Sequence, residues 1–212
     1  MRKKTKLPQD FIRQFLHHAV FDGWSHRALE VAARDVGLDK TTLRRLLPNG
    51  PRDLVWVFND SVNTKMISEL NKMDIYALPV RERVSTAIKV LLQQNVMHQE
   101  ATRKMLTYLA LPGNTGLGVK CIYETVDAIW RAAGDVSTDF NFYTKRGLLA
   151  GVYIGTVLYW LSDVSEDHSD TWAFLDRRIA NVMQIPKLQS IIKSRISQVP
   201  SPVRLLNRKR NT

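Results

Sequence analysis

One cysteine, Cys121, stands in 212 residues. That excludes a disulfide framework and a thiolate metal cluster, and points to the cytosol or an organelle matrix rather than to secretion. Nothing near Cys121 in sequence marks it as a nucleophile, so it reads as a buried, inert thiol. Histidine is as sparse. His17 and His18 diverge on a helix, His26, His98 and His168 are scattered, and neither a His-x-x-x-His pair nor a Glu-x-x-His repeat occurs. Zincin-type and bundle di-iron sites have no support. The glycines of PGNTGLG, at 113, 116 and 118, miss the dinucleotide spacing and follow no strand. Asp163, Glu166, Asp167 and Asp170 lack calcium-loop spacing, and Asp167 or Ser169 reads instead as the cap of a helix carrying Trp172, Phe174 and Leu175. The expectation is a protein that is not an enzyme and has no metal or cofactor of its own.

Long apolar runs are missing as well. The longest uncharged one, Gly147 to Leu161, falls short of the roughly 18 to 20 residues that span lipid, and the basic start lacks the hydrophobic run of a signal peptide. A soluble protein that touches a membrane from outside is expected. Acidic residues are absent from both ends, none preceding Leu7 or following Pro186. Arg2, Lys3, Lys4 and Lys6 at one end and Lys187, Lys193, Arg195, Arg204, Arg208, Lys209 and Arg210 at the other account for the whole net charge of +11. The stretch between is balanced, with 20 basic and 20 acidic residues. Two basic arms on a neutral body suit an extended anionic partner, a bilayer or a nucleic acid.

The apolar residues beside the charge favour the bilayer. On a helical wheel KLQSIIKSRISQV, from Lys187, puts Leu188, Ile191, Ile192, Ile196 and Val199 on one side, with Lys193 and Ser197 opposite. Arg195 projects from the apolar side and would snorkel. This reads as a basic amphipathic helix for an anionic membrane surface, set off by Pro186 before it and by Pro200 and Pro202 after it. A last helix docked on its own domain is the alternative.

Strand alternation is nowhere sustained, while apolar residues recur at helical spacing in Phe11, Phe15, Leu16 and Ala19, in Leu54, Val57, Phe58, Val62 and Met66, and in Val84, Ile88, Leu91 and Leu92. Turn residues cut the chain into about nine or ten helices. An all-α fold follows: one domain over 7–186, divided into a helix-turn-helix-like portion at 7–60 and a ligand-binding portion at 61–186, then the tail at 187–212. In the first portion Ser25 caps a helix running through Ala33, Gly37 turns the chain, and Asp39 caps a short helix carrying Lys40, Thr41, Thr42, Arg44 and Arg45. Residues 7–60 nevertheless hold seven basic and seven acidic side chains, no footprint for a duplex, so nucleic acid is not the expected partner.

The oddest stretch is NFYTKRGLLAGVYIGTVLYWL, in which Gly147, Gly151 and Gly155 recur every four residues. Each costs a helix about 1 kcal/mol relative to alanine. Glycines at that spacing strip one face, and a ligand cavity, a dimer seam and plain core packing all fit.

The runs AIWRAAGDVSTDFNFYTKRGLLAGVY (128–153) and SDTWAFLDRRIANVM (169–183), with GWSHRALEVAARDVGL near the start, resemble the ubiquinone (coenzyme Q) biosynthesis accessory lipid-binding protein family. The resemblance implies a TetR-like fold with a degenerate helix-turn-helix, a helical ligand-binding portion that forms a homodimer, and a C-terminal amphipathic helix. It implies a bound isoprenoid quinone precursor or phospholipid, and assistance to the di-iron hydroxylase that modifies the quinone ring late in synthesis. The place implied is the cytoplasmic face of a bacterial inner membrane, or the matrix side of a mitochondrial one. Trp130, Asp139, Asn141, Tyr143 and Arg146 match the family's signature, as do Asp170, Trp172, Phe174 and Arg178, and Phe142 stands where other members carry tryptophan. On this basis Gly147, Gly151, Val152, Gly155, Leu158 and Trp172 are expected to line the lipid cavity, and Asn141, Phe142, Tyr143 and Arg146 to meet the hydroxylase. Leu188, Ile191, Ile192, Lys193, Arg195, Ile196 and Val199 are expected to meet the membrane. The runner-up is a TetR-type DNA-binding regulator that responds to a hydrophobic ligand.

Overall fold

Nine α-helices follow one another among the described residues, 7–135 and 140–182 of a computed structural model, with no strand between them. They are α1 (Gln9–Asp22), α2 (His26–Asp35), α3 (Lys40–Leu46), α4 (Pro51–Leu70), α5 (Val80–Gln93), α6 (Gln99–Ala110), α7 (Thr115–Ala132), α8 (Phe140–Ser162) and α9 (169–182). The amphipathic segment expected from Lys187 onward lies outside them.

The local code of the first portion is met. Ser25 Oγ accepts from Ala28 N at 3.1 Å and Asp39 Oδ1 from Thr42 N at 2.9 Å, so both short helices carry the side-chain caps read from sequence. Gly37 turns between them at φ +67, a conformation that a side chain resists. Gly50 starts α4 at φ +60 against the His26 ring, where a Cβ would lie 2.3 Å from the ring carbon and force it aside.

Two apolar clusters build the body, and α4 belongs to both. Its first half places Leu54, Val55 and Phe58 with Phe11, Phe15 and Trp24, while its second half places Met66 and Leu70 with Ile88, Ile129 and Trp160. Trp24 Nε1 donates to the Ala101 carbonyl of α6 at 2.9 Å, which ties the start of the chain to the helices after α4. The expected division at 60/61 falls inside this helix, so the two portions share a rigid element. Beyond it, α5, α7, α8 and α9 wrap the second cluster, whose buried residues include Val84, Val126, Leu149, Val152, Leu175 and Ile179.

The start of α9 corrects the cap read from sequence. Neither Asp167 nor Ser169 serves; Asp167 sits at φ 51 within the single 3-10 turn Glu166–His168 and lends its carbonyl to Trp172 Nε1 at 2.8 Å. Asp163 does the capping from a distance. It accepts from Ser165 N at 2.8 Å, Ser165 Oγ at 2.6 Å, Thr171 N at 2.9 Å and Thr171 Oγ1 at 2.5 Å. Desolvation pushes the Asp163 carboxyl upward, and these hydrogen bonds overcome it and hold the group well below the usual carboxylate range.

Candidate functional site

Helix α8 organises everything on this side of the molecule, and its first turn is anchored by Arg146. Only 5% of that side chain is exposed. Its Nε and Nη2 donate to Asp127 Oδ1 of α7 at 2.8 and 2.7 Å, and Nη1 donates to Asp135 Oδ2 at 3.3 Å. Lys145 Nζ reaches Asp135 Oδ1 at 2.8 Å, and Trp130 Nε1 donates to the Lys145 carbonyl at 3.2 Å. A planar guanidinium is suited to this bridging, because its donors form a fixed fork.

The Phe142 ring centroid lies 3.4 Å from the Arg146 guanidinium carbon, a cation–π contact, and Tyr143 meets Phe142 edge-on at 5.1 Å. Tyr143 itself is 71% exposed. Of the four residues expected to meet a partner, then, Tyr143 stands at the surface and Phe142 is half-buried beside it. Arg146 is corrected from a contact residue to a buried support, while the side chain of Asn141 lies outside the described ones.

Gly147 and Gly151 depart from the expected cavity wall. Both are exposed, and a Cβ at either would meet nothing within 4 Å. With Tyr143, Ile154 and Leu158, exposed by 71, 38 and 56%, they form one outward stripe along α8. Gly155 turns instead toward α9, with the Phe174 ring 3.8 Å from where its Cβ would be; Phe174 stacks on Tyr159 at 4.6 Å. Period four is the geometry of one helical face, and sequence cannot tell which way that face points. Trp172 packs half-buried against the second cluster and lines neither of the larger apolar cavities.

The apolar space lies to either side of the stripe. A cavity of about 400 Å³ opens between α5, α7, α8 and α9, lined by Val84, Trp130, Leu149, Val152 and Ile179, with Arg81, Asp135 and Lys145 also along it. A second, of about 340 Å³, lies between α4, α6, α7 and the later half of α8, lined by Met105, Leu109, Ile122, Tyr153 and Leu158 among others. Val152 thus lines the first and Leu158 the second. The remaining lining residues were not foreseen; Val84 of α5 reads simply as core, because a cavity wall and a packed core have the same sequence period. Cys121 lines the second cavity, and burial pushes its thiol up to about 11, leaving it protonated at neutral pH.

No group of three or more His, Cys, Asp or Glu side chains is placed to hold a metal among the described residues. No helix among them is long and apolar enough to cross a membrane. What the arrangement offers is apolar volume next to an exposed aromatic patch, the setting of a binding protein for a hydrophobic molecule.

The model of the COQ9 family matches residues 115–186, the span of α7, α8, α9 and the cavity they share. Over that span the chain is similar to the COQ9 family. The ubiquinone biosynthesis protein COQ9 of rat mitochondria is 31% identical over 179 residues, covering 81% of this chain and 57% of the rat protein. Its human counterpart is 30% identical over 179 residues, with 81% and 56% covered, and the probable coq9 of Dictyostelium discoideum is 29% identical over 180, with 82% and 59% covered. The chain therefore spans somewhat more than half the length of these relatives. Among solved structures, a TetR transcriptional regulator from Nitrosomonas europaea superposes with a TM-score of 0.68 at 19% identity, covering 82% of this chain and 96% of the regulator. This likeness bears on the fold alone: the chain is built like a TetR regulator.

Proposed function

We propose that the protein is a non-enzymatic, lipid-binding accessory protein of ubiquinone biosynthesis. In this reading it works as a homodimer at an anionic membrane surface, holds an isoprenoid quinone intermediate or a phospholipid, and assists a di-iron ring hydroxylase. The observation that carries the reading is the pair of apolar cavities flanking α8, in a chain whose relatives are named for ubiquinone biosynthesis. The exposed Tyr143 beside Phe142 supports the hydroxylase contact, since aromatic anchors at the surface are typical of binding hot spots. The outward stripe of Gly147, Gly151, Ile154 and Leu158 suits the dimer, because small residues let a second helix approach closely. The basic ends suit the membrane, at the cytoplasmic face of a bacterial inner membrane or, for a mitochondrial protein such as the relatives are named, at its matrix side.

Organic extraction of full-length protein purified from a lipid-containing host tests the lipid: a stoichiometric isoprenoid or phospholipid is expected. Recovery of folded, lipid-free protein that takes up no quinone precursor sinks the reading. Tyr143→Lys is expected to abolish co-purification with the hydroxylase while preserving the helical spectrum, because it leaves an unpaired cation in a drying contact.

The second reading, a DNA-binding regulator that senses a hydrophobic molecule, is favoured by one observation. Arg44 and Arg45 stand exposed in the last turn of α3, the second helix of the helix-turn-helix. Against it, the neighbouring Lys40 is engaged with Glu30 at 2.8 Å. A shift assay on the gene's own upstream DNA separates the two. Tight, competitor-resistant binding lost in Arg44→Ala/Arg45→Ala, with no hydroxylase capture, establishes the regulator.

A further inference from the structure

From Ile75 to Val80 the connection between α4 and α5 reads IYALPV, a stretch without a charge. Ile75 is buried in the second cluster and fixes the 3-10 turn Ile75–Ala77 to the body. Tyr76 and Val80 are exposed by 64 and 44%, and Met73 just before them by 47%. Apolar side chains scattered singly over a surface need no partner, but a group of them gathered at one turn presents a face to something. Arg83 braces that turn. Its Nε donates to the Leu78 carbonyl at 2.7 Å, Nη2 to the Tyr76 carbonyl at 2.9 Å and Nη1 to the Ala133 carbonyl at 3.1 Å, with the guanidinium carbon 5.1 Å from the Tyr76 ring centroid. Carbonyls that a surface turn gives to water are thus paired within the protein, which lowers the cost of taking the turn out of water.

The turn is also the rim of the 400 Å³ cavity. Val80 lines that cavity and is exposed at the same time, so the cavity reaches the surface here. Gly134 lines it too, and a Cβ there would lie 3.3 Å from the Tyr76 ring, which sets Tyr76 at the cavity's edge. Val182, where the described part of α9 ends, lines the same cavity. Lys187 follows five residues later, within about 18 Å of Val182 even along a fully extended chain. A bilayer that holds the basic tail therefore has the rim within the same reach of its surface. The rim's composition suits that partner: tyrosine is favoured at the level of lipid head groups, small apolar side chains enter just below it, and Arg81, exposed next to Val80 and along the cavity, is placed for phosphate.

We infer that the connection between α4 and α5 is a second membrane contact, in which Met73, Tyr76 and Val80 enter the interfacial layer of a phospholipid bilayer and set the mouth of the 400 Å³ cavity against it. A water-insoluble ligand then passes between bilayer and cavity without exposing its chain to water. This rests on the membrane reading above and adds which face of the body meets the bilayer.

Full-length Met73→Cys and Tyr76→Cys, each carrying the environment-sensitive fluorophore NBD, test it on vesicles of phosphatidylcholine and phosphatidylglycerol. Val164→Cys is the control: Val164 is 100% exposed and follows the far end of α8, about 25 Å along that helix from Lys145 of the cavity. The Cys121 thiol is buried and pushed up to about 11, so it reacts slowly, and wild-type protein taken through the same labelling gives the background. Emission at 73 and at 76 is expected to rise about threefold or more on adding vesicles and to be quenched by nitroxide-labelled lipid, with the label at 164 unchanged. No change at 73 and 76 while wild-type protein floats with the vesicles overturns the inference and leaves the membrane reading standing, as does an equal rise at 164. A rise that comes with protein concentration before vesicles are added assigns the face to a second copy, and one that removal of residues 187–212 reverses in their absence assigns it to the chain's own tail; either overturns the inference. Failure of wild-type protein to float removes both readings.

Discussion

Arg146 joins two carboxylates and an aromatic ring around one guanidinium, and replacing it tests how the start of α8 is held. Arg146→Met would leave Asp127 with Arg131, at 2.8 Å, and Asp135 with Lys145, so the loss is smaller than for a wholly orphaned buried charge. About 2 to 4 kcal/mol of destabilisation is expected in urea unfolding. Arg146→Lys should recover only part of it, because an ammonium cannot hold both carboxylates in a planar fork. Tyr143, exposed alongside, is expected to change stability by less than about 0.5 kcal/mol when replaced by lysine. Gly151 behaves differently from a core glycine. With nothing within 4 Å of a Cβ there, Gly151→Leu should stabilise the isolated helical body by up to about 1 kcal/mol in thermal unfolding and leave lipid uptake unchanged. The same change should weaken self-association by sedimentation, if the outward stripe is the dimer seam.

At the scale of the element, α9 depends on a carboxylate that precedes it by six residues. Asp163→Asn keeps one acceptor oxygen but turns an amide N–H₂ toward donors, and a loss of about 1 to 2 kcal/mol is expected by chemical denaturation. The group's folded-state pKa is depressed, so the stability it contributes is complete above its ordinary value of 3.8 and is lost as the pH falls through the lower folded-state value. Acid unfolding of wild-type protein should show that dependence below pH 3.8, and the Asn variant should lack it. Because α9 contributes Ile179 and Val182 to the 400 Å³ cavity, loosening its start should also weaken uptake of whatever that cavity holds.

For the whole molecule, charge and core are separable. Among the described residues Ile179 is the last buried member of either apolar cluster, whereas seven of the basic residues follow Pro186. Removing residues 187–212 is therefore expected to keep the helical spectrum and the unfolding transition, and to abolish most flotation with anionic vesicles. Each basic residue near such a surface is worth about 1 kcal/mol, so the tail's share should also fade with added salt. Equal flotation of the two forms would show that another surface meets lipid.

The sequence by itself determined the local and the global extremes: helices from period and caps, the turn at Gly37 from the need for positive φ, charge at the ends from composition, and the likeness to the COQ9 family from the ordered string around α7 to α9. These rest on interactions between near neighbours in the chain or on sums over it, which one dimension records. Tertiary structure alone decided direction and distance. It turned Gly147 and Gly151 outward, although a helical period fixes a face without fixing what lies opposite. It sank Arg146 beneath the patch it was expected to join, because Asp127 and Asp135 stand 19 and 11 residues away and only folding brings them together. It gave the capping of α9 to Asp163 across a turn with Asp167 at φ 51, and left the indole of Trp160 with no partner among the described residues, beside a small space whose walls come from α4, α5, α6 and α8. Each of these depends on groups distant in the chain meeting in space, and that meeting is what a linear pattern of residue types does not contain.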